Sequence, residues 1–473
     1  MHELGLLTQM AETVTRAANE NNIDHVCGIV LEVGEASGAL PYTFEEYFPM
    51  IKEDYPVLRD ASLRRKSQNR SRRNGCYNKT DIVLKNTDLH TIYRGDGMKI
   101  YIARRGDSLY SIARANSVAV QELAAINELS DPARLSIGQA IVIPSRARPT
   151  AETEVNGYAY PNISERQLAA VMPQLTYLCP FSWRIDALGG ITPIEDASMI
   201  SAAWEGSCAP LLTLTNIGTN GGFSSDIAHS IFSDTAAQNA LAENTLAALR
   251  SRGYYGVNLN IEYVQPYDRE GYNAFLKRMS ETLHANGYML SSAIAPKTSD
   301  DQYGVLYTAH DYAAHGRYCD RVVIMTYEWG YTYSAPRAVS PVNEMRKVLS
   351  YAVTKIPPSK ILLGFSNYGY NWLLPWKQGQ AAQVISNAAA ASLAASVFAQ
   401  IKFDETAQAP FFNYTDPSGR RHEVWFEDAR SVRARLALVR EFGLAGISIW
   451  TVNMRNRAGL AVLESEFSSE KIV

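Results

Sequence analysis

Eight apolar strands separated by helical stretches over residues 155–466 predict a (β/α)8 (TIM) barrel, the main part of a multidomain α/β chain. Three observations carry this expectation. The alternation of strand and helix repeats eight times, with strands expected at 155–160, 175–181, 210–216, 256–264, 289–296, 321–329, 361–370 and 446–452. No Gly-rich phosphate loop follows any of them, which argues against a doubly wound open sheet. The fourth strand ends in a polar row: with a period of two, Asn258, Asn260 and Glu262 share one face while Val257, Leu259 and Ile261 share the other.

The elements follow in order along the chain. Residues 1–64 read as a small α/β head, with a helix over 4–21 (Leu6, Met10, Val14 and Ala17 at helical spacing), a strand over 25–33, a turn over 34–38 and a helix over 43–51. Residues 65–97 read as a solvated, disordered linker, because the basic run 64–73 has no periodicity. No aromatic residues interleave those charges, so nucleic acid is not expected as a partner. Residues 98–144 form a compact unit: a strand over 99–103, a helix capped by Asp107 or Ser108, a helix over 120–126 and a strand over 140–143. A short linker over 145–154 leads into the barrel. Barrel helices are expected at 167–172, 237–250, 272–285, 342–353 and 429–442. Between the last two strands lies a small α+β insertion, with an Ala-rich helix over 388–401 and a hairpin over 411–425 turning at Asp416-Pro-Ser-Gly419.

The totals exclude several classes. The chain has 473 residues, a formal net charge of -3 and 46% hydrophobic residues, which is soluble globular composition with no bulk attraction to nucleic acid. The five cysteines form no CxxC pair, so neither a disulfide framework nor a zinc ribbon is expected. No apolar run is long enough to span a membrane. The amino terminus lacks a secretory pattern, so cytoplasmic synthesis is expected.

Barrels of this kind place their chemistry at the C-terminal ends of the strands. Glu262 ends the fourth strand. Met325, Tyr327 and Trp329 share a face at the end of the sixth, and Trp450 ends the eighth. An acid, a hydroxyl donor and an aromatic floor suit a sugar ring, whose CH faces stack on Trp while the acid protonates a glycosidic oxygen. Asn258 and Tyr158 join Met325, Trp329 and Trp450 in the expected substrate-contacting set. No motif for a nucleotide, flavin or catalytic metal is visible, so the barrel is expected to need no cofactor.

The segments Phe223-Ser-Ser-Asp-Ile-Ala-His229, Gly256-Val-Asn-Leu-Asn-Ile-Glu-Tyr-Val264, Ala293-Ile-Ala-Pro-Lys-Thr-Ser299, Met325-Thr-Tyr-Glu-Trp-Gly-Tyr331 and Lys360-Ile-Leu-Leu-Gly364 with Tyr368-Gly-Tyr370 resemble family 18 glycoside hydrolases, in particular the spore cortex-lytic N-acetylglucosaminidases. That resemblance implies substrate-assisted retention, in which Glu262 protonates the leaving oxygen and the substrate's own acetamido oxygen attacks the anomeric carbon. It also implies that Tyr327 holds the acetamido group and Trp450 floors the sugar subsite. The family's motif is Asp-x-x-Asp-x-Asp-x-Glu, and the aspartate two residues before the acid is Asn260 here. Asn can hydrogen-bond but brings no charge, so reduced turnover is expected, and a catalytically impaired wall-binding protein is the alternative.

Gly106-Asp-Ser-Leu109, Ile112-Ala113, Asn127 and Leu135-Ser-Ile-Gly-Gln139 resemble a LysM module, which implies a peptidoglycan or chitin-like glycan as ligand. Met1-His-Glu3, Leu31-Glu-Val-Gly-Glu-Ala-Ser-Gly38 and Phe44-Glu-Glu-Tyr-Phe48 resemble the HypA/HybF hydrogenase maturation family, up to about Arg64. There the resemblance implies nickel at His2, an imidazole beside a free amine and amides that suit square-planar geometry. The family's second half holds a zinc site, and with only Cys76 nearby it is missing here. A nickel metallochaperone with hydrogenase maturation partners is therefore a second alternative. The barrel resemblance implies action at the spore cortex, coat or cell wall.

Overall fold

Burying apolar strands on both faces requires helices outside and packed side chains inside, and the chain meets both demands. The computed structural model describes residues 98–129, 131–144, 149 and 151–473, together with Ala11, Val14, Thr15, Leu58 and three short strands nearer the amino terminus. Eight parallel strands close the barrel: β1 (Glu152–Ala159), β2 (Tyr177–Pro180), β3 (Ala209–Thr215), β4 (Gly256–Asn260), β5 (Met289–Ile294), β6 (Arg321–Ile324), β7 (Ile361–Ser366) and β8 (Gly446–Trp450). The ladders run in sequence from β1 to β8, and β8 pairs back to β1. A helix follows each strand: α1 (Glu165–Val171), α2 (Ala197–Glu205), α3 (Thr235–Arg252), α4 (Arg269–His284), α5 (Tyr312–Tyr318), α6 (Val342–Ala352), α7 (Ala429–Phe442) and α8 (Arg457–Glu466). Local chemistry sets their ends. Asp234 caps α3 at its start, and Gly253, at φ 75°, closes it in the left-handed region that favours glycine.

Two cores result. Val257, Leu259 and Ile261 pack outward in the layer between strands and helices. Tyr158, Tyr177, Cys179, Leu211, Val323 and Leu362 fill the barrel interior. Asn258 is fully buried in that interior, accepting from the Tyr158 hydroxyl at 2.9 Å and donating to Ser291 Oγ at 2.7 Å. The expected two-faced fourth strand is therefore observed.

Most expected strands are shorter than their apolar runs, three of them markedly. The fourth leaves its ladder after Asn260 and the sixth after Ile324. The seventh divides at Asn367: β7 ends at Ser366, and Tyr368–Leu374 starts the five-stranded antiparallel sheet of the insertion. At the break Asn367 makes the last ladder bond, its N–H donating to the Trp450 carbonyl at 2.9 Å, and its side-chain amide reaches past the ladder to the Met454 carbonyl at 2.7 Å. The insertion also holds the helix Asn387–Ser396 and the hairpin Ala409–Thr415 with Arg421–Trp425.

The unit at 98–144 has the expected strand-helix-helix-strand order. Ser108 is the cap, in a reciprocal capping box with Ser111, whereas Asp107 accepts from the Tyr101 hydroxyl. This unit is joined to the barrel. Met98 and Val142 belong to the barrel's outer core. Arg457 N–H donates to Glu128 at 2.8 Å, and Ile401 N–H of the insertion donates to the Ile137 carbonyl at 2.9 Å.

Residues Met1–Asp96 form a separate compact unit. In it Gly28–Leu31 pairs in parallel with Ser62–Arg65 on one side and Asp81–Leu84 on the other. This corrects the expected linker over 65–97, which contains a strand. Its sequence Asp-Ile-Val-Leu is an apolar run that the neighbouring basic residues obscured. Ala11, Val14 and Thr15 are helical, as expected over 4–21. The expected turn at 34–38 and helix at 43–51 lie outside the described residues.

A buried ion pair fixes the insertion to the barrel wall. Glu427, just past the hairpin, meets Arg435 of α7 at 2.8 Å with both side chains out of solvent, and Arg435 also donates to the Ser340 carbonyl. Removing one partner strands the other charge, so Glu427→Ala should lose about 3–5 kcal/mol in denaturant unfolding. A loss below about 1 kcal/mol would show the pair to be immaterial.

Candidate active site

The C-terminal ends of the strands surround a cavity of about 1080 Å³. Asn260 and Glu262 line it from β4, Met325, Tyr327, Glu328 and Trp329 from the turn after β6, and Trp450 from the end of β8. The sequence row therefore climbs as expected, from a sealed Asn258 to a cavity-lining Glu262. Asn258 and Tyr158, expected as substrate contacts, are instead closed off beneath the wall. Tyr158 is 1% exposed, its hydroxyl engaged by Asn258 and its ring under Trp450 at 5.4 Å.

Trp450 stands in an aromatic box. Phe181 meets it edge-on at 4.7 Å and Tyr160 at 5.8 Å, and both also line the cavity. Edge-to-face packing fixes the indole plane at the cavity wall. Tyr160 and Phe181 were not singled out in the sequence, although both stand at the ends of expected strands.

The electrostatics centre on Glu262. Removal from water raises its pKa from 4.5 to about 7; a hydrogen bond from Asn260 opposes the rise and the like charge of Glu328 adds to it. Asn260 is buried, and its Oδ1 accepts no hydrogen bond among the described residues. Tyr327 is held well above the ordinary phenol range by burial, then by Glu262 and Glu328, so its hydroxyl remains a donor. Glu328 is a second carboxylate of the cleft, close enough to act on Glu262. Tyr368 and Tyr370 of the insertion donate to it, the latter at 3.0 Å. Its φ of 66° turns the chain sharply after β6. The sequence signal for Glu328 was its place in Met325-Thr-Tyr-Glu-Trp329, but a strand reading put it on the face away from Tyr327.

Among the described residues no group of three or more His, Cys, Asp or Glu could hold a metal ion. His2 lies outside the described residues. No helix among them is long and apolar enough to cross a membrane.

Comparison with known proteins agrees with this geometry. Residues 211–454 match the profile of Glycosyl hydrolases family 18 and residues 101–144 that of the LysM domain. Residues 1–87 match Hydrogenase/urease nickel incorporation, metallochaperone, hypA, so the head's likeness extends past Arg64, where it was expected to stop. The chain is 38% identical over 428 residues to a cortical fragment-lytic enzyme of Bacillus subtilis (strain 168), spanning 79% of this chain and 99% of the relative. It is 41% identical over 304 residues to a cortical fragment-lytic enzyme of Bacillus anthracis, spanning 64% and 70%. Among solved structures, the Bacillus cereus spore cortex-lytic enzyme SleL superposes with a TM-score of 0.66 at 39% identity, covering 79% of this chain and 87% of that one. The barrel, the acid at its mouth and these matches define a glycosidase. The chain belongs to glycosyl hydrolases family 18. The family 18 and LysM matches together support a peptidoglycan or chitin-like glycan as ligand.

An acid must be protonated to donate. Glu262 carries its proton below about pH 7 and loses it as the pH rises through that value, so kcat/KM should fall on the alkaline side with a midpoint near 7. Glu328→Gln removes the like charge and should move that limb to lower pH. A limb that stays in place would show that Glu328 does not act on Glu262.

Proposed function

We propose that this chain hydrolyses N-acetylglucosaminyl bonds in peptidoglycan of the spore cortex or cell wall, with Glu262 as general acid and then base. The observation that carries this reading is the desolvated Glu262 carboxyl, poised near neutrality in a cavity that also presents the Tyr327 hydroxyl and the Trp450 face. Protonation of the leaving oxygen breaks the glycosidic bond while the substrate's acetamido oxygen closes on the anomeric carbon. Glu262, now ionised, takes a proton from water, which opens that ring with retained configuration. Tyr327 donates to the acetamido group, and Trp450 stacks under the sugar, with Met325 and Trp329 as further walls. Asn260 Oδ1, buried beside the acid without a partner of its own, suits the acetamido N–H. The similarity to cortical fragment-lytic enzymes supports the substrate and its place at the spore cortex.

The test is release of reducing ends from spore-cortex fragments. Wild-type protein should release them and Glu262→Gln should not. Asn260→Asp restores a negative charge beside the developing oxazolinium, so kcat should rise about tenfold. Absence of wild-type release, with retained pelleting on peptidoglycan and activity only in Asn260→Asp, would make the natural chain a wall-binding protein.

For the head, the match over residues 1–87 supports nickel binding through His2. Calorimetric titration of the full chain with nickel should show one site that is lost in His2→Ala; identical isotherms would remove this reading.

A further inference from the structure

Parallel strands splay as they reach a barrel mouth, and their last peptide groups lose ladder partners. The β3–β4 ladder ends at the Thr215–Asn260 pair and the β4–β5 ladder at Leu259–Ser292. Glu262 lies two residues beyond the end of β4, followed by Tyr263 at φ 56°, where a non-glycine residue is uncommon. Nothing in the ladders holds the main chain that carries the acid.

Two side chains continue the ladders in place of backbone. Asn216, one residue past β3 and fully buried, accepts from Glu262 N–H at 3.0 Å and donates to the Glu262 carbonyl at 2.8 Å. Its other amide hydrogen goes to the Ser224 carbonyl at 2.9 Å. One acceptor and two donors are thus all used, in an arrangement that only an amide supplies. On the other side, His310 is 2% exposed and bridges β4 and β5. Its Nδ1 accepts from Ala295 N–H at 2.9 Å, and its Nε2 lies 3.0 Å from the Ile261 carbonyl, to which it donates. The Ala295 donor and the Ile261 acceptor fix the neutral Nε2–H tautomer. Neither Asn216 nor His310 lines the cavity.

We infer that Asn216 and His310 are positioning residues for the general acid, a side-chain clamp that fixes the peptides on both sides of Glu262 and so aims its carboxyl at the leaving oxygen. The inference rests on Glu262 being that acid. Misplacement of a proton donor by a fraction of an ångström costs rate where the proton is needed and little where it is not. An asparagine-to-aspartate change at 216 would set a carboxylate oxygen against two carbonyl oxygens. A glutamine at 310 keeps a donor for Ile261, and a leucine does not.

The test compares two substrates on the full chain: cortex fragments, whose sugar leaving group needs protonation, and 2,4-dinitrophenyl chitobioside, whose phenolate leaves without it. Asn216→Asp and His310→Leu should lose about 10- to 100-fold in kcat on cortex fragments at unchanged KM, and less than about threefold on the dinitrophenyl substrate. His310→Gln should recover most of the loss. If Asn216→Asp does not fold, the His310 pair decides alone. Equal losses on both substrates, or wild-type rates on both, would overturn the clamp. Wild-type protein that cleaves neither substrate would overturn the proposed hydrolytic activity, and the clamp with it; wild-type activity with variants indifferent to the leaving group would overturn the clamp alone.

Discussion

Everything at this site depends on holding one carboxyl partly buried at the cavity wall without giving it a cation. A carboxyl beside Arg or Lys would ionise and lose its value as an acid. Among the described residues Glu262 has no such partner; the groups that act on it are an amide, a phenol and a second carboxylate, none of which stabilises the charged form as an ion pair would. Burial therefore sets its protonation. The barrel provides that burial through apolar strands closed all round, and Phe181, Tyr160 and Trp450 add an aromatic wall to the same cavity.

The rest of the chain serves the same cleft from outside. The insertion begins where Asn367 breaks away from β7, and its first strand sends the Tyr368 and Tyr370 hydroxyls to Glu328. Those two bonds oppose the rise that burial causes in the Glu328 pKa. The Arg435–Glu427 pair then ties the far end of the insertion to α7. The LysM module shares its core with the barrel through Met98 and Val142, so glycan-binding and bond-cleaving parts form one packed body.

Much of this was legible in the sequence because parallel strands buried on both faces are long apolar runs, and all eight were visible as such. The two-residue period also put Asn258, Asn260 and Glu262 in one row. What it could not show was depth along that row: Asn258 is sealed by Tyr158, two residues from a group that lines the cavity. Apolar runs also continued past the points where the ladders end, so the turns that expose Glu328 and carry Glu262 were read as strand. Asn216 and His310 were out of reach for a different reason. A side chain that substitutes for a strand's backbone has no period and no fixed spacing from the residue it holds; 46 residues separate Asn216 from Glu262. In the head, the basic residues around Asp81–Leu84 hid a strand whose partners lie far away in sequence.

The central claim is that Glu262 carries a proton near neutrality because the fold strips away much of its hydration. Carboxyl-carbon NMR of protein labelled at glutamate, with Glu262→Gln to assign the signal, measures this directly. A Glu262 resonance that titrates with a midpoint near 7 is the predicted result. A midpoint near 4.5, the ordinary glutamate value, would contradict the account, because the acid would then be ionised when substrate arrives.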